Sequence, residues 1–229
     1  MNIKKYADSL TKFEKGLWLL SVTVIIISYI VSGGGSPLNA IASLIGVTAL
    51  IFVAKGYVLG QVLTVVFAVF YGIISFYFRY YGEMITYLCM TAPIAVMSVI
   101  EWIRHPYKDS DEVQVNHVNR KQIIIMSILT VIVTAAFYFI LSAMGNANIL
   151  FSTFSVTTSF IASYLTFLRS PYYAIGYSAN DIVLIVLWSL ASMEDSSYIP
   201  MIFCFVMFLF NDIYGFCNWR RMMKRQQAA

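Results

Sequence analysis

Charge is what this chain has least of. Of its 229 residues, 11% are Asp, Glu, Lys or Arg, where a soluble domain carries roughly 25%. With 60% hydrophobic residues and a mean hydropathy of +0.77, that deficit excludes a water-soluble globular domain and leaves a polytopic membrane protein. Cysteine is scarce too. Cys89, Cys204 and Cys217 stand singly in apolar runs, with no Cys-x-x-Cys pair, so they are expected to be buried small hydrophobes rather than disulfide or metal partners. Both histidines, His105 and His117, fall in one polar loop. Catalytic signatures are missing: there is no His-Glu-x-x-His helix, no Walker loop and no Gly-x-Ser-x-Gly elbow. Gly176-Tyr177-Ser178-Ala179-Asn180 comes nearest to an elbow and lacks its last glycine. An enzyme, a cofactor protein and an ATP-driven pump working alone are therefore not expected. Nor is a nucleic-acid partner, because the cations behind the net charge of +4 lie beside the apolar runs.

Those runs are what the chain does have. A span takes about 20 apolar residues at 1.5 Å each, and eight segments qualify: 17–32, 37–54, 58–78, 83–103, 122–143, 148–168, 172–191 and 198–219. The first ends in Ser-Gly-Gly-Gly-Ser-Pro without a small-x-small cleavage site, so it is read as a retained span. Lys4, Lys5, Lys12, Lys15, Lys55, Arg104, Lys108, Arg120, Lys121, Arg169, Arg220, Arg221, Lys224 and Arg225 all fall on one side of an eight-span model, and Arg79 alone on the other. By the positive-inside rule both termini are cytoplasmic, in a multi-pass protein of the cell membrane whose lasting partner is the bilayer.

Phe52 to Gly60 resembles Phe167 to Gly176, and Glu101-Trp102-Ile103-Arg104 resembles Asn218-Trp219-Arg220-Arg221, at shifts of 115 to 117 residues. Spans 2–4 and 6–8 are thus expected to be parallel repeats with span 5 as linker, and a substrate site between halves near the midplane. The expected divisions are an N-terminus with an extra helix (1–36), a first three-helix repeat (37–104), a loop with linker helix (105–147), a second repeat (148–221) and a tail (222–229). Trp102 and Trp219, beside arginines, read as interfacial anchors.

Polar residues inside spans are costly and default to function. Tyr173, Tyr177, Asn180, Asp181, Leu184 and Trp188 form one stripe of span 7. Asn211, with Asp212, lies eight residues before Trp219, at the depth of Asn180. Gln61, Thr64, Tyr71 and Ser75 line a face of span 3, and Glu83, Tyr87 and Thr91 one of span 4. The competing account is that such groups merely join helices, at about 1 kcal/mol per bond. Amides read amide and ribose edges, aromatic faces hold a flat ring, and carboxylates favour a cation. The pattern points to a flat, polar, positively charged solute such as a nucleoside-like vitamin.

The closing Asn211-Asp212-Ile213-Tyr214-Gly215-Phe216-Cys217-Asn218-Trp219 resembles the Asn-x-Tyr-Gly-x-x-x-Trp signature of the PnuC family of nicotinamide riboside transporters. Gly82 to Tyr87, Pro93 and Trp102 resemble the end of that family's first repeat, and Tyr172 to Trp188 its penultimate span, with Asn180 on a typical Asn. Over residues 37–221 the resemblance implies a SWEET-like 3+1+3 all-α fold, here with an extra N-terminal helix. It further implies a homotrimer and facilitated uptake of nicotinamide riboside, trapped afterwards by cytosolic phosphorylation. On that basis Asn180, Asn211 and Gln61 are expected to bind amide and ribose groups. Tyr173, Tyr177 and Trp188 would stack or gate, with Tyr87 on the same lining. Asp181, Asp212 and Glu83 would offset the ligand's charge. Where many members have Trp-x-x-Trp, this chain has Tyr173-Ala174-Ile175-Gly176. The rivals are a sibling transporter of thiamine or riboflavin, and a non-transporting sensor or assembly subunit that docks partners on loop 104–121.

Overall fold

Apolar length dictates the elements. The computed structural model describes residues 3–33, 37–77, 81–146 and 148–228, and it places a long helix over each of the eight apolar runs. A short helix α1 (Ile3–Asp8) precedes α2 (Lys12–Val31), α3 (Pro37–Ala54) and α4 (Val58–Tyr77). The fourth span joins α5 (Tyr81–Ile85), a π-helical turn (Thr86–Thr91) and α6 (Ala92–Arg104). Then follow α7 (Arg120–Ala143), α8 (Ile149–Phe167), α9 (Tyr173–Glu194) and α10 (Ile199–Ala228). Arg79, the lone cation expected on the opposite side, lies outside the described residues.

Two boundaries differ from expectation, each for a local reason. Helix α2 starts at Lys12 because Thr11 and Glu14 form a reciprocal capping box, at 3.3 and 2.6 Å. Helix α10 runs on to Ala228 because its charged end is held by the loop before α7, as described below. The π turn also has a cause. Pro93 has no N–H and its ring excludes the carbonyl four residues back, so the ladder widens and Ala92 N–H bonds to Tyr87 O, five residues back.

Helices α3, α4, α5–α6, α8, α9 and α10 pack in that order into a ring that closes where α10 meets α3. Helix α2 lies outside it against α3 and α10, and α7 outside it against α8. The two halves of the ring repeat one another in detail. At the end of α3, Gly56 N–H bonds Val53 O at 2.9 Å and Tyr57 N–H bonds Phe52 O at 3.0 Å. At the end of α8, Arg169 N–H bonds Thr166 O at 3.0 Å and Ser170 N–H bonds Leu165 O at 2.9 Å. Gly56 (φ 70°) and Arg169 (φ 58°) both take the left-handed conformation that closes such helix ends. These equivalent residues are 113 apart, not 115 to 117, because Pro171 and Tyr172 are inserted before α9 begins.

The tryptophans belong to this symmetry. Trp102 Nε1 donates to Thr166 O at 3.0 Å, and Trp219 Nε1 donates to Val53 O at 2.9 Å. The last helix of each half thus satisfies a helix-end carbonyl in the first helix of the other. The indoles are 1% and 0% exposed, with ring centroids 5.4 Å apart. They are core residues and not interfacial anchors, because buried carbonyls rather than headgroups take their N–H groups. Loop 105–119 runs across the same level: Val113 N–H bonds Gly56 O at 2.9 Å and Asn116 N–H bonds Arg169 O at 3.0 Å. Val113 is buried there, and Gln226 of α10 bonds Val115 N–H at 2.8 Å and Val113 O at 3.1 Å.

Of the cysteines only Cys204 is buried. Cys89 and Cys217, contrary to expectation, are exposed, since the outward face of a membrane helix is apolar as well and a small hydrophobe fits either side.

Candidate functional site

All six ring helices line one cavity, so its chemistry follows from which way each stripe faces. Helix α3 contributes Gly46, Ala49, Leu50 and Val53, a small-residue face that leaves room. Helix α4 adds Gln61, Thr64 and Phe67, and the span from Tyr81 adds Tyr87 and Thr91 from its π turn. Helix α8 gives Ser159, α9 gives Tyr177, Asn180 and Asp181, and α10 gives Phe205, Phe208 and Asp212. The mixture is the one a ligand site needs: aromatic walls with a few convergent polar groups.

The polar groups are held in place. Ser155 Oγ and Thr158 Oγ1 donate to Asn180 Oδ1 at 3.2 and 3.0 Å, which commits the amide oxygen to α8. Tyr177 Oη pairs with Ser163 Oγ at 3.1 Å. Asp181 of α9 and Asp212 of α10, each 3% exposed, line the cavity together, and Asp181 Oδ2 has no hydrogen-bond partner. No Lys, Arg or His is among the described residues lining this cavity. Two buried carboxyl groups without a cation are an expensive arrangement in a low-dielectric interior.

Six of the ten expected site residues therefore meet at one place: Gln61, Tyr87, Tyr177, Asn180, Asp181 and Asp212. Four do not. Asn211 is turned outward to α2, where its Nδ2 donates to Ser21 Oγ at 3.0 Å and to Met207 O at 2.7 Å. Successive helical residues point about 100° apart, and it is Asp212 that takes the inward direction. Tyr173 is buried near the termini side of the ring, with its ring 5.1 Å from that of Trp219. Trp188 packs at the other end, 5.5 Å from the ring of Tyr198, and Glu83 lines a separate cavity there. Phe67, Phe205, Phe208 and Ser159 were not anticipated, because an aromatic or Ser in an apolar run carries no sign of which face it occupies. The absent second tryptophan also has a structural reason: a Cβ at Gly176 would stand 2.9 Å from the Ala162 backbone, so α8 and α9 touch where that ring would go.

Helix α2 is pinned to the ring by polar contacts. Besides the Asn211–Ser21 bond, Trp18 Nε1 donates to Thr48 Oγ1 at 3.1 Å. Buried Glu14 accepts from Tyr214 Oη at 2.5 Å and pairs with Lys55 at 3.3 Å.

The cavity is about 60 Å³, well short of the ~300–1,000 Å³ of small-molecule sites. Phe67 and Phe208, whose rings lie 5.6 Å apart, both project into it.

A family model described as nicotinamide mononucleotide transporter matches residues 36–221. The nicotinamide riboside transporter PnuC of Neisseria mucosa is 26% identical over 223 residues, covering 95% of this chain and 84% of that protein. The crystal structure of the vitamin B3 transporter PnuC superposes with a TM-score of 0.82 at 24% identity, over 95% of this chain and 94% of that one. By the extent of that family match, this eight-span chain belongs to the nicotinamide mononucleotide transporter family.

Proposed function

We propose that this protein mediates facilitated uptake of nicotinamide riboside by alternating access, binding it in the cavity enclosed by the six-helix ring. The observation that carries this is the pairing of Asp181 and Asp212 with aromatic walls and no cation among the described lining residues. A singly charged pyridinium nucleoside answers both features, whereas a mononucleotide brings a phosphate for which the lining offers no Lys or Arg. The same charge argument separates the sibling vitamins: thiamine, a cation, fits better than neutral riboflavin. Tyr87, Tyr177 and the three Phe rings stack on the pyridinium, and Gln61, Asn180, Thr64 and Ser159 take the amide and ribose. A docking subunit is disfavoured, since the apolar side chains of loop 104–121 are spent inside the fold.

In this proposal the repeats are 37–104 and 148–221, of SWEET-like 3+1+3 arrangement, with both termini cytoplasmic because the cations gather there. The indole and loop contacts then form the cytoplasmic seal. The protein is a homotrimer, for which the open apolar groove at Val131, Ala135, Tyr138 and Phe139 of α7 supplies a contact face.

The test is uptake into liposomes. Radiolabelled nicotinamide riboside should enter saturably, stop at equal concentrations and ignore an imposed proton gradient. Accumulation driven by that gradient, or preference for thiamine, refutes the assignment. Two substitutions sharpen it. A Cβ at Gly46 would lie 2.4 Å from Phe208 Cζ, so Gly46→Val should jam the ring into the cavity and weaken binding at least ~tenfold, measured by calorimetry. Asn211→Ala should leave affinity within about twofold and instead lower stability by ~1–2 kcal/mol, as α2 loses its anchor.

A further inference from the structure

We propose that a second cavity, on the face opposite the termini, is an outer binding site for a flat organic cation. Its volume is about 320 Å³, within the range of small-molecule sites, and its rim at Met144, Gly145, Asn148 and Glu194 is exposed. Two carboxylates from different elements line it, Glu83 on α5 and Glu194 at the end of α9. Glu83 is 5% exposed and its Oε2 has no hydrogen-bond partner. Buried polar atoms are nearly always paired, so this oxygen is an acceptor set for a ligand. Glu194 is the last residue of α9, and that helix end carries a partial negative charge which reinforces it. Among the described residues lining this cavity there is no Lys, Arg or His, and the N-terminus of α8 beyond Asn148, which favours an anion, amounts to about half a charge against the two carboxylates.

The remaining walls fit the body of such a cation. Leu187 and Leu190 present an apolar surface and Tyr81 an aromatic ring. Asn146 and Ser152, bonded to each other at 2.8 Å, offer polar edges to amide or hydroxyl substituents. Position adds meaning. Glu83 lies four residues before Tyr87, which lines the central cavity, and the Tyr71 and Tyr87 rings lie 4.4 Å apart. The outer cavity collects the cation and the tyrosine pair stands between it and the central site. That order of events rests on the proposed transport function; the binding itself does not.

The probe is N-methylpyridinium, with neutral pyridine as control, titrated calorimetrically into the purified full chain carrying Asp181→Asn and Asp212→Asn. These changes remove the central cavity's charge and leave the outer one. The expected result is saturable binding of N-methylpyridinium but not of pyridine, weakened at least ~tenfold by adding Glu83→Gln and likewise by adding Glu194→Gln. Absence of binding, or binding unchanged by either Gln substitution, overturns the proposal. Glu194 is exposed, so its variant decides the matter even where Glu83→Gln fails to fold. Failure of the wild type to take up nicotinamide riboside would remove the proposed cargo and leave this readout standing.

Discussion

A protein carrying Asp181→Asn and Asp212→Asn is expected to lose at least ~100-fold in affinity for nicotinamide riboside while folding normally. Hydrogen bonds and contacts to a buried charge contribute about 1.5–3 kcal/mol each, and ~2.7 kcal/mol is already a factor of 100. Asn keeps the shape and the polarity, so the loss reports charge. The single variants should each lose less than half of that free energy, because one remaining carboxylate still neutralises a monocation, which makes the pair non-additive. Without ligand, the double variant should melt at a higher temperature, since two carboxyls 3% exposed with no cation among the described residues lining their cavity cost more to bury than neutral amides do. Calorimetric titration and thermal unfolding in detergent measure both. Unchanged affinity in the double variant would remove the charge argument, and with it the preference for a cationic vitamin.

Removing either indole should cost about 3–5 kcal/mol, the range for truncating a large buried ring. Trp219→Ala empties a fully buried position and leaves Val53 O with the Gly56 N–H alone, and Trp102→Ala leaves Thr166 O with the Arg169 N–H alone. Trp→Phe at each site removes the indole hydrogen bond and should cost about 0.5–1.5 kcal/mol for it, since the backbone N–H still satisfies the carbonyl. Because the rings lie 5.4 Å apart, a double-mutant cycle should show coupling. Interfacial anchors would behave differently: each Ala change would then cost under ~1 kcal/mol, with no coupling between them. Denaturant unfolding of the five variants decides between the two.

How much of this was legible in advance differs between the spans and the site. Helix positions were, because a 30 Å apolar layer demands a length of apolar chain and each run here satisfies it. The repeat was visible through Trp102 and Trp219, which are 117 residues apart and do play equivalent parts, but the pairing of Phe52 with Phe167 was not the structural one: the ends of α3 and α8 correspond at a shift of 113, carried by backbone bonds. Asp181 and Asp212 were identified because a carboxyl inside a span has few innocent explanations. Asn211 was misplaced for the same reason, since α2 creates a second buried polar face that depth alone does not distinguish from a ligand site.

The sequence by itself determined that the chain is an eight-span helical membrane protein with two related halves and a small set of costly polar residues, because transfer from water to lipid acts on composition and length. Which way each residue faces was decided only by tertiary structure. Closure of the ring sent Asp212 inward and Asn211 to α2, buried both indoles against helix-end carbonyls, and set Glu83 apart from Tyr87. A helix advances 100° per residue, so facing depends on neighbours distant in the chain, and local pattern has no access to them.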